Sequence, residues 1–271
     1  MSERYEETSK AETREPEQEM RRLTRRGLIW AGISVLGGGA ALEYLNRAPE
    51  QNGLGWPFRR ALRVNEGVWG GLFRNTSHAP TFDPSQRTPA RVNGHYGLGA
   101  GFDPAKWTLR VENVRGSTSP IVLTLIDIKA LPRREFTAQF CCIEGWNYVV
   151  TWAGASFRDF AAKYMPPARP GKSQSPDLDD LSSLARYVYM ETPDRGYYVG
   201  LDMQSALHPQ TLLCYEMNGE PLALEHGAPL RLAIPVKYGV KNLKRIGLIR
   251  YMDEPPADYW AERGYDWFAG L

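Results

Sequence analysis

From residue 91 onward, proline, glycine and two Asn-Gly pairs cut the chain into runs of strand length. No segment there carries a long helical period, so the core must be closed by short strands and structured loops rather than by a helix bundle. The composition agrees: 26 glycines, 20 prolines and 11% aromatic residues in 271 favour strands and turns. Residues 107–112 alternate as a strand and 121–125 as a second, with a turn at 113–116 between them. Residues 125–131 begin a short helix that Pro132 stops. Residues 135–142 are extended. Residues 156–164 read as a helix with Phe157, Phe160 and Ala161 on one face, ended by Pro166-Pro167. A polar loop follows at 168–181, then strands at 185–190, 212–217, 230–235 and 243–252, with a turn signal at Asn218-Gly219. The class is mixed α+β, strand-rich with few short helices.

A chain of 271 residues suits one large domain or two small ones and buries a sizeable core. A net charge of +2 marks no nucleic-acid binder. Three cysteines, Cys141, Cys142 and Cys214, make a poor disulfide framework, and no C-x-x-C is present. Four scattered histidines argue against an all-protein metal site. A cofactor that brings its own ligands and needs one thiolate fits these counts.

The N-terminus reads as an address. Arg21-Arg22-Leu23-Thr24-Arg25-Arg26 precedes an apolar run over 27–42, short for a membrane span but suited to a signal segment. Thr24-Arg25-Arg26-Gly27-Leu28-Ile29 resembles a twin-arginine export motif. A buried helix or a membrane anchor with a basic cytoplasmic flank reads the same way. The expected organisation is therefore a signal or anchor over 1–45, an irregular linker or arm over 46–90, and a domain over 91–271. The chain is expected to be exported, periplasmic or anchored to the outer face of the cytoplasmic membrane.

Three constellations carry chemistry. Cys141-Cys142-Ile143-Glu144-Gly145-Trp146, followed by Trp152-Ala153-Gly154, places a thiol where a strand enters a glycine-containing turn. A thiolate there is a soft ligand for a heavy metal; a buried inert cysteine pair is the plainer reading. Arg91-Val92-Asn93-Gly94-His95-Tyr96-Gly97 is a polar turn. Met217-Asn218-Gly219-Glu220-Pro221-Leu222, His226-Gly227-Ala228-Pro229-Leu230-Arg231 and Pro235-Val236-Lys237-Tyr238-Gly239-Val240-Lys241-Asn242-Leu243-Lys244 follow in order. Glycine turns with lysine and arginine beside them suit an anionic phosphate; an exposed basic strand edge has the same composition.

Taken together, these motifs over 91–265 resemble the sulfite oxidase fold of molybdopterin-dependent oxidoreductases, most closely the bacterial periplasmic methionine-sulfoxide-reductase catalytic subunits. The resemblance implies a mixed-sheet fold and a molybdopterin cofactor, with Cys142 as the molybdenum ligand and the catalytic position. It implies pterin contacts from Asn93 and His95. It places Arg231, Lys237, Tyr238, Gly239, Lys241 and Lys244 in the cofactor-phosphate region, with Lys241 and Lys244 foremost. The tail Tyr259-Trp260-Ala261-Glu262-Arg263-Gly264-Tyr265 resembles the family's ending and reads as packing. One departure stands out: vertebrate-type sulfite oxidases place an Asn-Arg pair soon after the ligand cysteine, and Glu144-Gly145-Trp146-Asn147 holds no arginine. With Trp146 and Tyr148 suggesting an aromatic pocket, this favours oxygen-atom transfer from a sulfoxide-type small molecule. Sulfite-like oxidation and a non-catalytic binding protein are the alternatives. Electrons are expected from a separate partner, such as a membrane cytochrome.

Overall fold

The computed structural model describes residues 27–172 and 175–270; the paired-arginine motif over 21–26 lies outside them. The chain divides into two compact units, one ending at Gln51 and taking in Gly55–Phe58, the other formed by Asn52–Leu54 and the chain from Arg59.

In the first unit, helix α1 runs from Gly27 to Asn46, 20 residues, long and apolar enough to cross a membrane. It is longer than the apolar run over 27–42, because residues 43–46 continue the helix and Arg47 closes it with an ion pair to Glu43 at 2.7 Å. Two-residue strands β1 (Glu50–Gln51) and β2 (Leu54–Gly55) follow.

The segment over 46–90, expected to be irregular, carries a 17-residue helix, α2 (Trp56–Leu72). Gly67, Gly70 and Gly71 read as helix breakers, each weakening a helix by about 1 kcal/mol relative to alanine. The helix forms because its polar side chains are tied to the C-terminal segment: Arg59 donates to the carbonyls of Ala261 and Tyr265.

The second unit holds two five-stranded sheets. The first has the order β10–β9–β6–β5, with β11 also paired to β9. Its strands are β5 (Arg133–Cys141), β6 (Asn147–Ser156), β9 (Leu212–Met217), β10 (Glu220–Pro221) and β11 (Arg231–Ala233), all antiparallel. The second has the order β4–β3–β12–β7–β8, from β3 (Leu109–Glu112), β4 (Ile121–Leu123), β7 (Tyr187–Glu191), β8 (Tyr198–Asp202) and β12 (Leu248–Met252). β12 runs parallel to β3 and antiparallel to β7, so this sheet is mixed. Short helices α3 (Leu125–Lys129), α4 (Phe157–Lys163) and α5 (Met203–Ala206) connect them. Ser156 caps α4 by accepting the Asp159 N–H at 2.9 Å.

The main core joins Leu109 and Val111, Phe157 and Phe160, Val188 and Met190, Leu213, Leu230, Leu232 and Ile249. A smaller cluster on the other face of the first sheet holds Tyr148, Val150, Trp152, Leu212, Cys214 and Ala233. β6 is thus buried on both faces. Such a strand shows no apolar–polar alternation, and for that reason the sequence reading passed over it.

Candidate active site

Cys142 stands in the loop between β5 and β6. The Cys142 N–H donates to the Trp146 carbonyl at 2.9 Å and the Gly145 N–H to the Cys142 carbonyl at 3.0 Å. Gly145 supplies the left-handed turn, at φ 89°. This closure aims the thiol into a cavity of about 280 Å³ lined in part by Arg91, Asn93, Cys142, Glu144, Arg231 and Lys244.

One wall is aromatic. Phe140 stacks on Tyr148 at 4.9 Å and 8°, and Tyr148 on Trp146 at 5.8 Å and 14°. Arg91 caps the stack, 4.9 Å from the Trp146 ring centre. Glu144 lies in the loop itself: its carboxylate accepts from the Trp146 indole N–H at 2.7 Å and lies 3.9 Å from Cys142 Sγ. Asn93 Nδ2 approaches the same oxygen at 3.5 Å. Burial pushes the Cys142 thiol up from its ordinary pKa and the Glu144 carboxylate adds to that, while backbone N–H groups of Glu144 and Ile143 and the Arg91 charge pull the other way.

The floor is cationic. Arg231, on β11, is 1% exposed. It lies over Trp152 at 4.7 Å and donates to the His226 carbonyl at 2.9 Å. Lys244 is half-buried and donates to the carbonyls of Asn93 at 2.7 Å and Gly94 at 3.2 Å, tying the 93–94 turn to the site. Burial lowers the Arg231 pKa. Burial, and then the Arg231 charge, lower that of Lys244 to about 8. Among the described residues neither forms an ion pair with a carboxylate. Three cations of the lining, Arg91, Arg231 and Lys244, face one carboxylate, Glu144, and this excess of positive charge favours an anion brought to the cavity.

Five of the expected residues therefore come together: Asn93, Cys142, Arg231, Gly239 and Lys244. Gly239 lies so close to Phe140 that a Cβ would strike its ring. The others do not line this cavity. His95 stacks on Tyr96 at 5.3 Å outside it. Tyr238 is held by its N–H to the Ala269 carbonyl at 3.0 Å. Lys237 is buried, donating to the Phe268 carbonyl at 2.9 Å, and burial drops its pKa to about 7. Lys241, expected at the phosphate, is buried in an ion pair with Asp258 at 2.5 Å. Asp258 and Phe268 belong to a separate, wider cavity of about 840 Å³.

The sequence reading assigned no role to Arg91, Glu144, Tyr197 or Asn242, all of which line the Cys142 cavity. Arg91, Glu144 and Asn242 sit inside the quoted motifs; Tyr197 carries no local signal. Trp260 and Tyr265, read as packing, also line it. Cys141 lies outside the lining, and Cys214 is buried in the sheet with its thiol pushed up to about 12.

The family model described as the oxidoreductase molybdopterin binding domain matches residues 95–260. The Azospira oryzae protein named as protein-methionine-sulfoxide reductase subunit YedZ1 is 33% identical over 77% of this chain and 74% of its own. The protein-methionine-sulfoxide reductase catalytic subunit MsrP of Campylobacter jejuni is 32% identical over 64% of this chain and 59% of its own. MsrP of Gluconobacter oxydans is 27% identical over 88% and 74%. The chain thus spans about three quarters of two of these relatives and 59% of the third. A family match over most of the domain, with a thiol and cations in one cavity, establishes that this chain belongs to the oxidoreductase molybdopterin-binding family and is a molybdopterin-dependent oxidoreductase.

Proposed function

We propose that the chain reduces a sulfoxide-type substrate, with Cys142 as the thiolate ligand of the molybdenum, and that it does so outside the cytoplasm. The observation that carries this reading is the pairing of Cys142 with Arg231 and Lys244, cations of the same cavity that hold no ion pair among the described residues. A soft sulfur donor beside cations that lack an anion is the donor set that a thiolate-ligated metal on a phosphate-bearing cofactor requires. Arg231 and Lys244 would hold the phosphate, and the Asn93 amide would hydrogen-bond the pterin. His95, Lys237, Tyr238 and Lys241 have no part in this arrangement.

The bound cofactor supplies the oxygen-atom and electron transfer; the chain supplies the setting. Burial favours the protonated thiol of Cys142, and a bound metal cation would take the place of its proton. The Phe140, Trp146 and Tyr148 stack excludes water from one side. The Glu144 carboxylate, 3.9 Å from Cys142 Sγ, repels an anion such as sulfite and tolerates a neutral sulfoxide. Reduction of a sulfoxide to a sulfide and water takes two electrons and two protons. The electrons would come from a separate membrane-held partner, in keeping with relatives named as subunits. The paired arginines and α1 support export with the apolar segment in or across the membrane.

Purified protein from a host that makes molybdopterin is expected to contain about one molybdenum per chain and to reduce methionine sulfoxide with an artificial donor. Cys142→Ala should keep its circular dichroism spectrum and lose turnover. A fully active Cys142→Ala protein would refute the assignment.

A further inference from the structure

Helix α2 presents an apolar face outward. On its other side Arg59 is buried and Glu66 half-buried, and both line the wider cavity together with the exposed Arg63. The Glu66 carboxylate accepts the Trp267 N–H at 2.8 Å, and burial raises its pKa. The outward face carries Val64, Val68, Trp69 and Leu72, which are 62, 52, 55 and 60% exposed. At 100° per residue these four fall within an arc of roughly 140°. A surface helix of a water-soluble domain buries its apolar stripe; α2 leaves these four side chains exposed, interrupted by Asn65, whose amide donates to the Asp266 carboxylate at 3.0 Å, and an exposed apolar face of this kind marks a contact surface.

We propose that this face of α2 lies in the surface of a lipid bilayer, with Trp69 at headgroup depth. The proposal rests on the reading of α1 as a membrane segment. Three features select lipid as the occupant. α1 is exposed along its length and apolar enough to cross a membrane, and only residues 47–55 separate it from α2. That segment carries the paired strands β1 and β2 and spans at most roughly 30 Å, which holds α2 within reach of the surface. Tryptophan beside aliphatic side chains is the composition of interfacial helices. Arg60, exposed beside the stripe, is placed to meet lipid phosphates. The docked helix would fix the domain against the bilayer rather than leave it on a flexible tether.

The test uses the full chain in vesicles of phosphatidylethanolamine and phosphatidylglycerol. A photo-crosslinking p-benzoylphenylalanine is placed at Val68, or in a separate sample at Ile126, which is 79% exposed on α3. Lipid adducts at position 68 are expected to exceed those at 126 by about ten-fold. With the crosslinker at Val64 instead, Trp69→Glu should cut adducts by a similar factor and leave turnover with an artificial donor unchanged. Equal yields at 68 and 126, adducts to a second copy or another protein, or no lipid adduct at 68 would overturn the proposal. Alkaline extraction of the vesicles scores α1 separately: release of the chain would refute anchoring, while the adduct at 68 still reports whether α2 touches lipid.

Discussion

At the scale of single residues, Lys237 and Lys244 are buried to different ends. Both have pKa values lowered by burial, to about 7 and about 8 from 10.5. Lys244 faces the Cys142 cavity, where an anion would stabilise its charge. Lys237 sits among Phe73 and Phe268, with the Asp202 carboxylate 3.8 Å away. Between its folded pKa and 10.5 the unfolded chain binds more protons than the folded one, so stability rises with pH in that window. The cofactor-free protein should gain about 1 kcal/mol from Lys237 between pH ~7 and pH ~8, before the unfolded thiols ionise near 9.0. Thermal unfolding across that range should show the rise in the native chain and a smaller one in Lys237→Met. A slope unchanged by the substitution would mean that Lys237 keeps its ordinary pKa.

At the scale of elements, the β6–β9 pair bears most on the site, because β6 follows the Cys142 loop and carries Tyr148 and Trp152 along its length. Its register with β9 shifts between Ala153 and Gly154. There the strands approach so closely that a Cβ at Gly154 would collide with the Leu213 carbonyl and the Cys214 Cα. Backbone cannot yield as a flexible side chain does, so Gly154→Ala should destabilise the domain by about 2–3 kcal/mol, read as a lower urea midpoint. The Trp-Ala-Gly motif was legible in the sequence as a family signature, but its cause was not. The glycine answers to the backbone of β9, about sixty residues away in sequence. α2 was missed for the complementary reason: its glycines signal a loop, and the contacts that hold it come from the chain's far end. α4, whose helical period is intact, and β5 and β9, runs of strand length bounded by turn signals, match the sequence expectation in type and approximate place.

At the scale of the molecule, the cavity is an assembly of distant pieces: the 91–96 turn, the β5–β6 loop, β11 with the segment to Lys244, and the C-terminal Trp260 and Tyr265. A ligand touching all of them stabilises the whole domain by linkage. Protein loaded with cofactor should melt several degrees above the cofactor-free form. Arg231→Met should shrink that difference, and should cost the cofactor-free form about 1–3 kcal/mol, because it strips a donor from the buried His226 carbonyl. An undiminished difference in Arg231→Met would show that Arg231 does not hold the ligand.

The sequence by itself determined the strand-rich class, the thiol-bearing loop and the order of the basic motifs, because these are local: a turn glycine, a strand period and a cysteine beside them act over a few residues. Which way each lysine turns was decided only by the tertiary structure. Lys237, Lys241 and Lys244 stand within eight positions of one another. Yet the short turn at Gly239–Lys241 leaves two of them buried against Phe268 and Asp258 and presents the third to Cys142. The direction of a side chain leaving a turn depends on what packs around it, and here the neighbours that decide it lie tens of residues away, on β5, β8 and the C-terminal segment.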